Sequence, residues 1–538
     1  MQSAVSTVSG ADGRWVSALA ARARAEAPTF TGLATAFISS LLLILSFPDF
    51  NLWPLAWVAL VPVLVLVARG PIPGKAFLLG WLAGTVFFYG SCHWVTYSMI
   101  HYGEIPRWAA YLLLLPGALV LGLFFGVFAL VLARAIKKWG IEVLLLAPIV
   151  WSALEWARLS LTGQLWNAIG YSQAYQPMLI QTARWGGVYA VGFLVVAVNS
   201  AIALLVLKRN AKAALIAGAV IAGVATLGLV SYATSPAENS REHSGTPDVR
   251  IVALQPNVPM NPVKSDDALR ELRSRHVAMS ENALKQLAND GTPRLVIWPE
   301  SPMNFSYGGD AQFRELVARF ATANHTSVLF NSLEPATNEG LLNSAVMVNQ
   351  QGSLIAQYDK IRLLPFGEYV PLPRWLPGAS LIGAIVGDFT PGTNYALMPV
   401  GTSRAGVFIC IESAYPGIAR RFTTEGADVL INISNDGYLG PTAVMRQHLA
   451  NAVFRAVENN RPLLRVTNTG ITAYITANGQ VKDATSGFQA DVRTWSMDRG
   501  HRANTFYSSH GDLFVGANAS FTLFLFAASF SIRRKERD

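Results

Sequence analysis

Eight apolar stretches recur along this 538-residue chain, each long enough to cross a bilayer or nearly so: near 29–47, 52–68, 76–97, 109–135, 142–158, 187–207, 213–232 and 512–531. Nothing else limits the fold as severely. A bilayer core offers no partner for a backbone N–H or C=O, so a single apolar segment satisfies its own polar groups only as a helix. Composition agrees, since 52% of residues are hydrophobic and 14% charged, too apolar for a soluble protein of this length. The expectation is a helical membrane domain of seven spans over 29–232 and an eighth span within 511–538.

The loops set the orientation. With eight spans threaded, Arg69 and Lys75, then Arg134, Lys137 and Lys138, then Lys208, Arg209 and Lys212, and finally Arg533, Arg534, Lys535 and Arg537 fall on one side. By the positive-inside rule that side is the cytoplasm, and 233–510 is outside. This distribution also accounts for the formal charge of +9 without invoking nucleic acid. Residues 1–28, with Arg14, Arg22 and Arg24, read as a cytoplasmic tail. No Ala-x-Ala-type site closes the first apolar run, which argues against a cleaved signal peptide. An outer loop over 159–185 is rich in Trp, Tyr and Gln, residues that suit an aromatic belt at the headgroup layer. Few ionisable residues lie in the spans and no paired broken segments are evident, so an ion pathway or a transporter is disfavoured.

After a Ser-, Pro- and Gly-containing linker at 233–248 the periodicity changes. Over 249–510 strand-like runs alternate with helical spacing, the signature of an α/β domain. Strands are expected at 249–255, before Glu300, at 326–333, in a hairpin over 343–360, before Cys410 and at 427–433, with helices near 266–287, 310–322, 416–425 and 441–459.

Three of these strands end in an ionisable residue: Pro293-Arg-Leu-Val-Ile-Trp-Pro-Glu300, Gly352-Ser-Leu-Ile-Ala-Gln-Tyr-Asp-Lys360 and Ala405-Gly-Val-Phe-Ile-Cys410. Each alone reads as a strand-end charge or an inert core thiol. Together they can supply a base, a cation for an oxyanion and a nucleophile. Cys92 lies in a span and Cys410 in the soluble domain, which argues against a disulfide. No Cys and His cluster at metal-ligand spacing, so neither metal nor cofactor is expected. Glu412 has the i, i+2 relation to Cys410 of a shared strand face, which also fits a plain surface carboxylate. Glu368 fits a turn-stabilising carboxylate or a partner for Lys360, and Asn343 is placed to donate a hydrogen bond into the site. Asn435 and Asp436 equally fit a turn of no chemical consequence. His448, in a helix, reads as structural.

The ordered set Trp298-Pro-Glu300, Asp359-Lys360 and Cys410-Ile-Glu412 resembles the Glu-Lys-Cys triad of the nitrilase, or carbon–nitrogen hydrolase, superfamily. The run Lys360-Ile-Arg-Leu-Leu-Pro-Phe-Gly-Glu-Tyr-Val-Pro371, with Ser434-Asn-Asp-Gly-Tyr-Leu-Gly440 and the flanking spans, is similar to the apolipoprotein N-acyltransferase family over nearly the whole chain beyond the N-terminal tail. The resemblance implies an αββα sandwich, with Glu300 as base, Lys360 as electrostatic partner and Cys410 as nucleophile. It implies that Glu368 orients Lys360 and that Glu412 has a functional role. It also implies a loop below the active site carrying Gly163 and Trp166, although the family more often has Phe-Pro where this chain has Gln164-Leu165. The implied reaction is ping-pong. A phospholipid acylates Cys410, and the α-amine of the diacylglyceryl-cysteine of an apolipoprotein then takes the acyl chain, at the periplasmic face of a bacterial inner membrane. The alternative is a membrane-tethered amidase that uses water as acceptor; a scaffold with a degenerate soluble domain is a further one. Tyr369, Trp375, Leu376, Leu381 and Ile382 could dip toward the bilayer or pack inside.

Overall fold

The computed structural model describes residues 29–70, 72–234, 247–260, 265–336, 340–370, 389–498, 500 and 502–530. The N-terminal tail, most of the linker, Trp375, Leu376, Leu381 and Ile382, and the basic residues Arg533, Arg534, Lys535 and Arg537 lie outside these.

Within the described residues all eight apolar stretches contain helix, but not all are single full-length helices. Among the described residues, four helical segments are long and apolar enough to cross a membrane: 107–139, 141–162, 183–208 and 211–233. They comprise α5 (Arg107–Trp139), α6 (Ala147–Thr162, entered through a 3-10 turn), α7 (Ala183–Lys208) and α8 (Ala211–Ala233). Before them come α1 (Phe30–Ser46), α2 (Val61–Ala68), α3 (Pro73–Ser91) and α4 (Val95–His101). The stretch expected at 52–68 is a 3-10 turn followed by the eight-residue α2, which covers only about 12 Å at ~1.5 Å per residue. The stretch expected at 76–97 breaks after Ser91, and α4 departs from α3 by 52°. In contrast, α5 runs for 33 residues, about 50 Å, well beyond the ~30 Å of hydrocarbon.

Small residues let α3 and α5 meet backbone to backbone. A Cβ on Gly84 would stand 2.8 Å from the Phe125 side chain and 2.9 Å from the Gly122 Cα. Without water to drive association, close packing of this kind is the main attraction between helices in lipid.

Lys138 and Lys208 lie at one end of the bundle. Lys138 Nζ donates to the Ala528 carbonyl at the end of the last apolar helix at 2.5 Å, and Lys208 pairs with Glu142. The α/β domain sits at the other end. It contacts Ser91 at the end of α3 through Gln447 (3.1 Å), Tyr232 at the end of α8 through Gln480 (3.4 Å) and the Val188 amide at the start of α7 through Glu458 (2.9 Å).

That domain holds two six-stranded sheets. The first has the order β12-β1-β2-β3-β4-β5 and the second β11-β10-β9-β8-β7-β6. In chain order the strands are β1 (Val249–Gln255), β2 (Arg294–Ile297), β3 (Ser327–Pro335), β4 (Leu341–Val348), β5 (Leu354–Asp359), β6 (Leu397–Val400), β7 (Ser403–Ile409), β8 (Val429–Ser434), β9 (Leu463–Thr467), β10 (Ala473–Ile475), β11 (Val481–Lys482) and β12 (Asp491–Met497). Alternation along β1 assigns its two faces. Val249, Ile251 and Ala253 join the core shared with the second sheet, while Val252 and Leu254 join a separate outer cluster with Phe313, Val317 and Phe320. That outer layer is α9 (Asp266–Gln286) and α10 (Ala311–Ala323). Over the second sheet lie α11 (Pro416–Thr424) and α12 (Val444–Asn459). The layers are therefore αββα. Helix α12 is buried nearly all round, because it has the sheet on one side and the membrane helices on the other. The last described helix is α13 (Leu513–Ala528).

The close approach of α3 and α5 predicts that Gly84→Leu lowers stability by about 1–3 kcal/mol through overpacking. Gly117→Leu, at a position with no atom within 4 Å of an added Cβ, should leave it nearly unchanged. Thermal unfolding of the two variants in detergent checks the difference.

Candidate active site

Strands β2 and β3 are parallel, as are β7, β8 and β9, and β5 runs in the same sense as β3 through two antiparallel pairings. Residues just past the ends of β2, β5, β7 and β8 therefore emerge at one edge, the usual place for a site in such sheets. These are Glu300, Lys360, Cys410 and Asn435.

The structure brings Glu300, Lys360 and Cys410 together. Lys360 Nζ lies 3.8 Å from Glu300 Oε1 and donates to Glu368 Oε1 at 2.8 Å. The Cys410 thiol lies close enough to Glu300 for each group to shift the other's pKa. Asn343 Nδ2 bridges the two carboxylates, at 3.0 Å from Glu300 Oε1 and 2.7 Å from Glu368 Oε1. Glu368 Oε2 accepts the Leu364 amide at 2.7 Å, so this one carboxylate both closes its own turn and holds the lysine. The second oxygen of Glu300 accepts the Asn435 amide at 3.1 Å.

Cys410 is half-buried and adopts φ 51°, the left-handed region that a side chain enters at a cost. It is the first residue of a 3-10 helix, Cys410–Ala414, so the strand turns sharply at the thiol. The next amide, Ile411 N–H, stands at the open start of that helix, where no intrahelical acceptor exists.

Glu412 does not share a strand face with Cys410. It lies within the 3-10 turn, where the period of two no longer applies, and it is fully buried. Its carboxylate accepts Ile409 N–H (2.8 Å), Ile361 N–H (2.8 Å), Arg362 N–H (3.0 Å) and the Tyr358 hydroxyl (2.8 Å). It thus staples the backbone just after Lys360 to the backbone just before Cys410.

Charge balance fixes the resting protonation. Burial alone would lower the pKa of Lys360, but the carboxylates of Glu368 and Glu300 raise it further, so the ammonium persists. Burial raises the Glu300 carboxyl, and Glu368 adds to this against the pull of Lys360. Burial and then the Glu300 charge push the Cys410 thiol up, with Lys360 opposing. With two carboxylates against one ammonium, a third negative charge is disfavoured, so the sulfur rests as thiol beside a carboxylate that can take its proton.

The loop with Gly163 and Trp166 also reaches this end of the domain. Gly163 ends α6 at φ 66°, and a Cβ there would stand 3.8 Å from the Tyr415 hydroxyl. Trp166 is buried, donates to Gln447 Oε1 at 2.7 Å and packs on Trp94. The aromatic-belt reading fails for this residue: the indole has a protein partner, and the loop is gripped by α12. Tyr369 is exposed, and Phe366 nearby is 53% exposed.

Several participants escaped the sequence. Asn331 donates to Asn343 Oδ1 at 2.7 Å, signalled only by an amide inside the apolar run of β3. Asn435 and Asp436 form no idle turn, since the first gives its amide to Glu300 and the second joins His448 (2.7 Å) and Arg465 (3.0 Å). Tyr438 lies close enough to Glu300 and Glu368 for their charges to raise its hydroxyl pKa beyond the effect of burial.

Residues 39–201 match the apolipoprotein N-acyltransferase N-terminal domain family, and residues 253–505 match the carbon-nitrogen hydrolase family. An apolipoprotein N-acyltransferase of Geobacter metallireducens is 33% identical over 490 residues, covering 90% of this chain and 92% of that protein. One of Rhizobium etli is 30% identical, covering 84% of each. Among solved structures, an amidase of Nesterenkonia sp. is 17% identical with a TM-score of 0.36, covering 51% of this chain and 97% of that one.

If Glu412 staples the two loops, Glu412→Gln places an amide NH2 against backbone N–H donors. The variant should lose about 2–3 kcal/mol of stability, the scale of hydrogen bonds to a charged group. Denaturant titration measures this, and the alkylation rate of Cys410 reports whether the turn at Cys410 has shifted.

Proposed function

The chain belongs to the apolipoprotein N-acyltransferase family, and we propose that Cys410, Glu300 and Lys360 carry out its acyl transfer in two half-reactions. In the first, Glu300 takes the Cys410 proton as sulfur attacks the ester carbonyl of a phospholipid. The C–S bond forms, charge gathers on the carbonyl oxygen, and Lys360 with the Ile411 N–H neutralises it. The C–O bond then breaks, and the proton on Glu300 passes to the departing lyso-phospholipid oxygen. In the second, the α-amine of a diacylglyceryl-cysteine attacks the thioester, C–N replaces C–S, and Glu300 moves the amine proton to the leaving sulfur. Asn343 and Glu368 keep Lys360 and Glu300 in register, and Gly163 and Trp166 shape the floor of the site.

One observation carries this reading: the thiol, the carboxylate and the ammonium meet on the side of the α/β domain that faces the membrane helices. Tyr102, beside α4, donates to the Gly437 carbonyl at 3.3 Å, so the broken third span reaches the loop that holds Glu300. A lipid ester at that surface has a short path to the sulfur. The protein is a membrane protein, and its basic loops at the far end of the bundle support an extracytoplasmic catalytic domain by the positive-inside rule. For a bacterium with two membranes that means the inner membrane and the periplasm.

Intact-mass measurement after incubation with phospholipid should reveal one acyl adduct that is absent in Cys410→Ala. Adding a diacylated lipopeptide should discharge the adduct into an amide-linked third chain. Release of free fatty acid alone would instead establish the water-using amidase reading. Because burial raises the Glu300 carboxyl above 4.5, acylation should fall as pH drops through that raised pKa. Stopped-flow release of lyso-phospholipid across pH checks the direction, and Glu300→Gln should abolish the burst.

A further inference from the structure

His448 sits between two oxygen acceptors. Its Nδ1 is 2.7 Å from Asp436 Oδ1, and its Nε2 is 3.0 Å from the carbonyl oxygen of Cys410. A neutral imidazole carries one N–H, so in that state one contact would set a lone pair against an oxygen. Both contacts are hydrogen bonds only when both nitrogens are protonated. Asp436 provides the counter-charge. Burial works against its ionisation, but the charges of His448 and Arg465 hold its pKa below the usual carboxylate value.

The bonded carbonyl is not an arbitrary one. It belongs to the Cys410–Ile411 peptide, whose N–H is the amide assigned above to the oxyanion. A ring N–H donor on the carbonyl oxygen polarises the peptide and makes its N–H a stronger donor, most of all while the ring is cationic. It also fixes the plane of a peptide that follows a residue held at φ 51°. Asn432 supports the same carbonyl at 3.3 Å, from the neutral side chain of a β8 residue.

We propose that His448 is a positioning residue for the nucleophile turn, orienting and polarising the Cys410–Ile411 peptide so that its N–H receives the oxyanion. The inference rests on the acyl-transfer reading of Cys410. The groups around the ring are Asp436 from the loop after β8, Arg465 from β9, the Cys410 turn and the Trp166 ring, whose centroid is 5.5 Å away. One turn away on its own helix, Val444, Met445, Asn451 and Ala452 carry no charge. Burial and Arg465 draw the ring's pKa below its ordinary value, against Asp436, so the second proton is lost as pH rises and the Cys410 bond goes with it. The next residue, Gln447, is pinned from the membrane side by Trp94 (3.0 Å) and Trp166 (2.7 Å), which keeps α12 in place beneath the turn.

Two reactions of the same sulfur separate positioning from folding. Acylation by phospholipid builds charge on a carbonyl oxygen, whereas alkylation by iodoacetamide displaces iodide at a saturated carbon and needs no oxyanion donor. In full-length protein in detergent, His448→Leu should slow single-turnover acylation about 100-fold, the scale of losing one oxyanion donor, with alkylation within about threefold of the unmodified protein. His448→Gln, whose amide can still donate to the Cys410 carbonyl, should recover roughly a tenth of the rate and lose the decline of acylation at higher pH. Equal loss of both reactions in His448→Leu, or acylation at the unmodified rate, overturns the proposal. Failure of the unmodified protein to acylate at all would strike the acyl-transfer reading instead.

Discussion

A buried ammonium shared by two carboxylates is the constraint on which the site depends. Lys360 is 1% exposed, and an ion taken that far from water is tolerable only when it is paired and hydrogen-bonded. Glu368 provides the close pair and Glu300 the looser one, so removing either partner changes the charge seen by the other two ionisable groups. The looser pairing is the useful one. At 3.8 Å from the ammonium, Glu300 is held loosely enough to serve as the proposed base. Asn343 spans both carboxylates with one amide and so limits how far they can separate.

Position follows from where parallel strands end, but precision comes from carboxylates that grip backbone rather than substrate. Glu412 gathers three amides and a phenol across the gap between the lysine loop and the nucleophile turn. Asp436 does comparable work on the opposite side through His448 and Arg465. The strained Cys410 backbone is thus held from both flanks, which is how an unfavourable φ persists in a folded protein.

Period and punctuation made much of this legible in the sequence. Apolar length located the long membrane-domain helices, and the alternation of strand and helix patterns gave the α/β domain. Three strand-end residues were readable as chemistry because each followed a run of β-branched and apolar residues. What could not be read was local geometry that composition does not encode. The break after Ser91 sits inside an unbroken apolar run, where hydropathy gives no sign of the 52° bend. Glu412 was placed on a strand because a period of two was extended one turn too far. Asp436 and Asn331 looked ordinary because their partners, His448, Arg465 and Asn343, are distant in sequence and meet them only through the fold.

The breaks in the membrane domain carry the last step. Long helices such as α5 suffice to anchor a domain, yet α2 is too short to span and α3–α4 is bent where it approaches the site. A bent span leaves polar backbone at the bilayer surface, tolerated only where protein or water covers it. Here protein does: Gln447 Nε2 donates to the Ser91 carbonyl at the break, and the Tyr102 hydroxyl, donating to the Gly437 carbonyl, holds the bent segment against the α/β domain. The membrane helices therefore end as structural parts of the active-site wall, with Trp94 and Trp166 packed between them and the nucleophile turn. A soluble enzyme with the same three reactive groups would meet substrates from water. In the proposed reaction, a wall built from the bent apolar segment would let the acyl chain of a donor stay in the bilayer while its ester reaches the sulfur.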